Sequence, residues 1–98
     1  MFRGTTPTNT FTTNLDLSEA EVIYITYQQN GQDIIEKNIN DITFGEGSLS
    51  VELTQEDTLK LTDREVLIQI RAKFPNGKAV ASNIIKTPAE MILKDGVI

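Results

Sequence analysis

The chain of 98 residues contains no cysteine, no histidine and no tryptophan. Without thiols it has no disulfide framework and no thiolate zinc site. Without imidazole it lacks the usual general base near neutral pH and the commonest metal ligand. Aromatic residues are scarce too, at two tyrosines and four phenylalanines. The longest unbroken apolar run, Val22-Ile23-Tyr24-Ile25, is far short of the ~20 residues that cross a bilayer, so no membrane partner is expected. No basic-then-apolar leader opens the sequence, and synthesis in the cytosol is the expectation. Catalysis would need a nucleophile with its base, paired carboxylates, a metal or a phosphate loop. None of these is legible, so neither enzyme activity nor a cofactor is expected. Gly45-Glu46-Gly47 is too short to cradle a phosphate and reads as a turn. Glu56, Asp57 and Asp63 lack the alternating oxygen ligands and central glycine of a calcium loop.

What is present is the two-residue period of half-buried strands. Val66, Ile68, Ile70, Ala72 and Phe74 fall on one side of an extended chain, and Gln69, Arg71 and Lys73 on the other. Pro75-Asn76-Gly77 supplies a turn, because proline presets its φ and Asn-Gly tolerates the left-handed conformation. The stretch Glu65–Phe74 with Lys78–Lys86 therefore reads as a β-hairpin around which the rest packs.

Further strands are expected along the chain. Thr8–Leu17 alternates with Phe11, Thr13 and Leu15 on one side. Asp16–Glu19 is a turn, or a short helical turn in which Ser18 and Glu21 have capping-box spacing. Ala20–Gln29 is apolar on both faces, the pattern of a central strand covered on both sides. Asn30-Gly31 predicts a two-residue hairpin loop into a strand over Asp33–Asn38, followed by a shorter piece over Ile39–Phe44. Ser48–Thr54 alternates cleanly. Thr54, followed three residues later by Asp57, predicts an N-cap opening one helical turn, with Leu59 and Leu61 closing the end of the core.

The fold class this predicts is all-β: an antiparallel sandwich of six or seven strands with one short helical turn. Its architecture is immunoglobulin-like without the Cys-Trp-Cys signature of antibody domains, and a small β-barrel is the alternative. Residues 1–98 read as one domain, which at this size buries roughly two-thirds of its unfolded surface. Residues 1–7 form an extended N-terminal arm, and residues 88–98 form a C-terminal tail. That tail keeps Met91, Ile92, Leu93, Val97 and Ile98 apolar, which a disordered segment would not. It is expected either to fold back onto the domain or to dock on a partner.

The formal net charge of -5 argues against nucleic acid. It is unevenly spread, because residues 66–87 carry Arg71, Lys73, Lys78 and Lys86 and no acid. The hairpin is thus a basic feature on an acidic body. It is either a solvated face that discourages edge pairing or a docking surface for an acidic patch.

Three segments carry a family likeness: the opening Met-Phe-Arg-Gly-Thr-Thr-Pro-Thr, the central Leu-Thr-Gln-Glu-Asp-Thr and the closing Leu-Lys-Asp-Gly-Val-Ile. With them the chain resembles short structural proteins of phages and prophages of Gram-positive gut bacteria. The expected strand order is also similar to the immunoglobulin-like N-terminal domain of siphophage baseplate upper proteins. The resemblance implies a tail-region structural protein, made in the bacterial cytoplasm and incorporated in the virion on assembly. Its partners would be other phage structural proteins or further copies of itself. The candidate contact residues are Phe2, Arg3, Arg71, Lys73, Met91, Ile92, Leu93 and Val97. A glycan-binding or adhesive module is the alternative, with Tyr24, Tyr27 and Phe44 as the aromatics to inspect. A third reading is a small regulator that grips a host protein through the basic hairpin.

Overall fold

The computed structural model of the chain describes residues 1–14 and 16–98. Its strands are β1 (Thr8–Thr12), β2 (Val22–Gln29), β3 (Gln32–Asn38), β4 (Ile42–Gly45), β5 (Ser48–Glu52), β6 (Glu65–Lys73), β7 (Ala79–Ala81) and β8 (Ile85–Pro88), with one helix, α1 (Gln55–Leu59). They form two antiparallel sheets that do not close into a barrel. One has the order β1-β5-β4, and the other β3-β2-β6, with β7 and β8 sharing the far edge of β6. In immunoglobulin lettering, the first sheet is B-E-D and the second C′-C-F-G. The A strand that would flank β1 has no counterpart among the described residues.

The strands follow the alternation in the sequence. Ile23, Ile25, Tyr27 and Gln29 of β2 and Val66, Ile68, Ile70 and Ala72 of β6 point inward. They meet Phe11, Leu49, Val51 and Leu53 from the other layer, and Leu61 seals one end. At β2 the structure departs from the expectation. The strand is central in its sheet, yet only one of its faces is covered, and Tyr24 is 45% exposed on the other. Apolar residues on both faces here mark an exposed outer patch.

The loops show the chemistry that was expected of them, with local corrections. Asn30 (φ 52) and Gly31 (φ 72) are both left-handed, as a two-residue hairpin loop requires. Gly77 (φ 87) completes the turn after β6. The expected strand from Lys78 to Lys86 is instead broken in two. Arg71 pairs with Ala81 but Ile68 with Ile85, so one extra residue bulges from the edge. Ser82 compensates for it: its Oγ accepts from Ile70 N–H at 3.0 Å and its N–H donates to Ile70 C=O at 2.8 Å. β1 ends at Thr12, short of the expected Leu17, and the inward position expected for Leu15 lies outside the described residues. Leu17–Glu19 is a 3₁₀ turn capped by Asp16, whose carboxylate accepts from Ser18 N–H at 3.1 Å, so Ser18 is not the cap. A second 3₁₀ turn, Ile39–Asp41, carries the chain from the second sheet into the first.

Two polar contacts tie the layers. Asn9 of β1 donates from Nδ2 to the hydroxyl of the buried Tyr27 of β2 at 2.6 Å. Lys37 of β3 meets Asp57 of α1 at 2.8 Å, with both side chains largely buried. A third contact pins the corner between α1 and β6: buried Gln29 accepts from Thr62 N–H at 2.9 Å and donates to Thr62 C=O at 2.9 Å.

Candidate functional site

The N-terminal arm and the C-terminal tail come together at the α1 end of the molecule. Arg3 N–H donates to Glu90 C=O at 3.0 Å, and Glu90 N–H donates to Met1 C=O at 2.8 Å. Phe2 and Glu90 thus form a parallel bridge, and the Met1 amino group donates to Pro88 C=O. Gly4 then reverses the arm at φ 71, a conformation that β-carbon sterics disfavour. A side chain there would also meet Ile92 Cδ1 at 2.8 Å.

Arg3 is the residue that fastens this junction. Its Nε donates to Leu61 C=O at 2.5 Å and its Nη2 to Leu59 C=O at 3.0 Å, and it lies 3.6 Å from the Asp95 carboxylate. The last carbonyls of a helix have no partner inside it, and here the guanidinium of the N-terminal arm supplies one for Leu59, the last residue of α1. Thr58 Oγ1 adds a bond to Thr5 C=O at 2.8 Å. On the tail, Ala89 is buried and its N–H donates to Arg64 C=O at 2.9 Å, while Ile92 is half-buried. Gln55 of α1 grips the backbone of Ile98 from both sides, accepting from its N–H at 2.9 Å and donating to its C=O at 3.3 Å.

These backbone ties leave the apolar side chains facing outward. Phe2, Met91, Val97 and Ile98 are exposed, and Leu93 is 96% exposed. Of the two courses open to the tail, folding back is observed, but it does not bury this row.

The candidate contact residues therefore divide. Phe2, Met91, Leu93 and Val97 stand on the arm-and-tail patch, and Ile98 joins them. Arg3 and Ile92 turn inward and hold the patch in place. Arg71 and Lys73 lie elsewhere, on the outer face of the second sheet. There Arg71 borders two shallow depressions of about 300 and 190 Å³, one shared with Leu67 and Ile84, the other with Val22 and Tyr24. Lys73 is partly neutralised by Glu21 at 3.6 Å. Ile84, exposed beside the Ser82 bulge, was not marked by the sequence, because the bulge that turns it outward has no local signature.

The aromatics of the alternative reading do not converge. Tyr27 is buried, Tyr24 faces outward from β2 in the second sheet, and Phe44 belongs to β4 in the first. Phe44 borders a cleft of about 410 Å³ with Asn14, Asp16, Ser18 and Glu46. Among the described residues, no group of three or more acidic side chains is placed to hold a metal ion, and no helix is long and apolar enough to cross a membrane. Asp57 is engaged by Lys37 and by the N–H of Thr54. Its burial pushes the carboxyl up. The Lys37 ammonium and the Thr54 donors outweigh that and hold it below its ordinary 3.8.

No family model matches the chain, and no curated protein matches it either. Among solved structures it is similar to the V domain of amphioxus IgVJ-C2, with 12% identity and a TM-score of 0.39, over 94% of this chain and 97% of that one.

Proposed function

We propose that the chain is a non-enzymatic assembly module, which joins a neighbouring protein through the patch of Phe2, Met91, Leu93, Val97 and Ile98. The single observation that supports this is the outward apolar row on a backbone fastened at Arg3, Glu90 and Gln55. A pre-ordered segment binds without the entropic cost of ordering it at the moment of contact. Its side chains are large and unpaired, the composition of an interface core. The likeness of its opening, central and closing segments to phage and prophage proteins supports a place in a tail region, with virion structural proteins as the partners.

The test is incorporation into particles. Phage particles released by a host that carries the gene should contain the chain in a regular copy number, measured by quantitative mass spectrometry. The variant Leu93→Glu/Val97→Glu should accumulate as folded protein, because both residues are exposed, yet enter particles at least tenfold less. Particles that lack the chain, or that incorporate the double variant like the wild type, would overturn the reading.

A further inference from the structure

Among the described residues, β1 has a ladder partner on one side only, β5. The hydrogen-bond phase of that pairing is set at its two ends. Leu53 N–H donates to Pro7 C=O, and Thr13 N–H donates to Gly47 C=O, each at 3.0 Å. In an antiparallel pair the bonded positions alternate, so Asn9 and Phe11 also bond to β5. Thr8, Thr10 and Thr12 accordingly turn their N–H and C=O groups away from β5, toward the open edge. Beyond that edge lies a seam of about 380 Å³ between the sheets, bordered by β1 together with Met1, Ile68, Ile85 and Thr87. None of these side chains is charged, in a chain where 23% of residues are, and the charge bordering the seam is the amino group of Met1, which is held by Pro88 C=O.

The other edges carry the devices that prevent strand addition. β3 holds Asp33, Glu36 and Lys37. The β7–β8 edge is broken by the Ser82 bulge and ends at Lys86 and Pro88. β4 is four residues long and closes on a glycine. β1, Thr-Asn-Thr-Phe-Thr, has no charge, no bulge and no internal proline.

We infer that Thr8–Thr12 is the docking edge for the same strand of a second copy, paired antiparallel about Thr10. In that register Thr8 faces Thr12 of the copy and Thr10 faces Thr10. Every outward N–H then meets an outward C=O. The inward Asn9 and Phe11 lie opposite each other over the two seams. A slip of one residue would set inward against outward positions and bonding against non-bonding ones, so the strand is self-complementary in one parity only. Two acidic bodies meet here without opposing like charges on the paired strands. The threonines stack on the exposed face, where β-branched cross-strand pairs are favourable. With five residues from each copy the contact falls below the size of stable interfaces, so the dimer is weak and forms at high local concentration, as in an assembly.

Sedimentation velocity of the full chain over a range of concentrations tests this. The wild type should shift from monomer to dimer as concentration rises. Thr10→Pro should remain monomeric and folded, since the N–H it removes serves no ladder bond within the chain, with a melting temperature lowered only by the loss of the exposed Thr10 Oγ1–Ser50 Oγ contact at 2.9 Å. If Thr10→Pro fails to fold, side-chain charge decides. Thr8→Lys/Thr12→Lys sets lysine against lysine and should abolish the dimer, whereas Thr8→Lys/Thr12→Glu sets lysine against glutamate and should restore association at least tenfold over the double lysine variant. Leu93→Glu/Val97→Glu should dimerise like the wild type, which separates this edge from the arm-and-tail patch. A wild type that is monomeric at every concentration, a folded Thr10→Pro that dimerises normally, or two charge variants that behave alike would overturn the inference.

Discussion

Asp57→Ala is expected to cost the fold about 3 kcal/mol, whereas Lys37→Ala costs about 1 kcal/mol. The two residues form one ion pair at 2.8 Å, but their losses are unequal. Asp57 also accepts from Thr54 N–H at 2.9 Å, as Thr54 Oγ1 accepts from Asp57 N–H at 3.0 Å, so its carboxylate is half of the capping box that opens α1. Removing it leaves the largely buried Lys37 ammonium unpaired, frees a backbone donor and loosens the helix whose last carbonyls hold Arg3. Removing Lys37 leaves Asp57 its Thr54 partners. The carboxyl is held below its ordinary 3.8 in the folded state. Its contribution is therefore present above that value and is lost as pH falls through the lower folded value. Wild-type stability should decline below about pH 4, and Asp57→Ala should flatten that acid limb. Urea unfolding at several pH values measures both effects. Equal costs for the two substitutions, or an acid limb unchanged in Asp57→Ala, would contradict this assignment.

Tyr27→Ala is expected to be the more damaging, at about 4 kcal/mol, a large part of the roughly 5–15 kcal/mol that keeps a domain folded. Tyr27 is fully buried on β2, in the strand where antibody domains carry their core tryptophan. In a chain without cysteine the inter-sheet tie at this point is the Asn9–Tyr27 hydrogen bond. Tyr27→Phe keeps the ring and strands only the Asn9 donor, at a cost of about 1–2 kcal/mol. Burial raises the Tyr27 hydroxyl from 10.0 to about 12, against the lowering by the Asn9 donor and with a further push from the Asp57 charge. A folded value above the unfolded one means that the contribution is complete below pH 10 and is lost as pH rises toward 12. About 2–3 kcal/mol should disappear over that window. Tyr27→Phe should lack this alkaline limb, and tyrosinate absorbance in the wild type should show one tyrosine ionising only with unfolding or near pH 12. If both tyrosines ionise together in a chain that stays folded, the buried-hydroxyl account is wrong.

Most strands are legible because two-residue alternation is a local signal. Val66 to Ala72 and Leu49 to Leu53 show the face they bury within their own few residues. The hairpin loop at Asn30-Gly31 and the cap at Thr54 are local as well. What escapes is decided by residues far apart in the chain. In the sequence Arg3 reads as a contact residue of the N-terminal arm, since the carbonyls it seals, on Leu59 and Leu61, lie more than fifty residues away. Lys37 and Asp57 meet only because the chain crosses between sheets at Ile39–Asp41. Residues 78–86 alternate well enough to pass for one strand. The Ser82 bulge shows itself only when the edge is laid against β6. Ala20–Gln29 illustrates a different limit: apolar residues on both faces are compatible with two covers or with one cover and an outward patch, and Tyr24 shows the second. On the arm and tail, the apolar content is plain from Met91 to Ile98, but which side chains face water depends on backbone pairing that periodicity does not encode.

The account rests on an arm and a tail that hold each other in place before any partner arrives. Amide hydrogen exchange resolved by residue tests this most directly, at Arg3 and Glu90, whose N–H groups donate across the junction to Glu90 C=O and Met1 C=O. Both amides should be protected by at least a hundredfold over an unstructured peptide, and both should lose that protection together in Arg3→Ala. Exchange of these two amides at the rate of a free peptide, in a protein whose β2 and β6 amides remain protected, would contradict it.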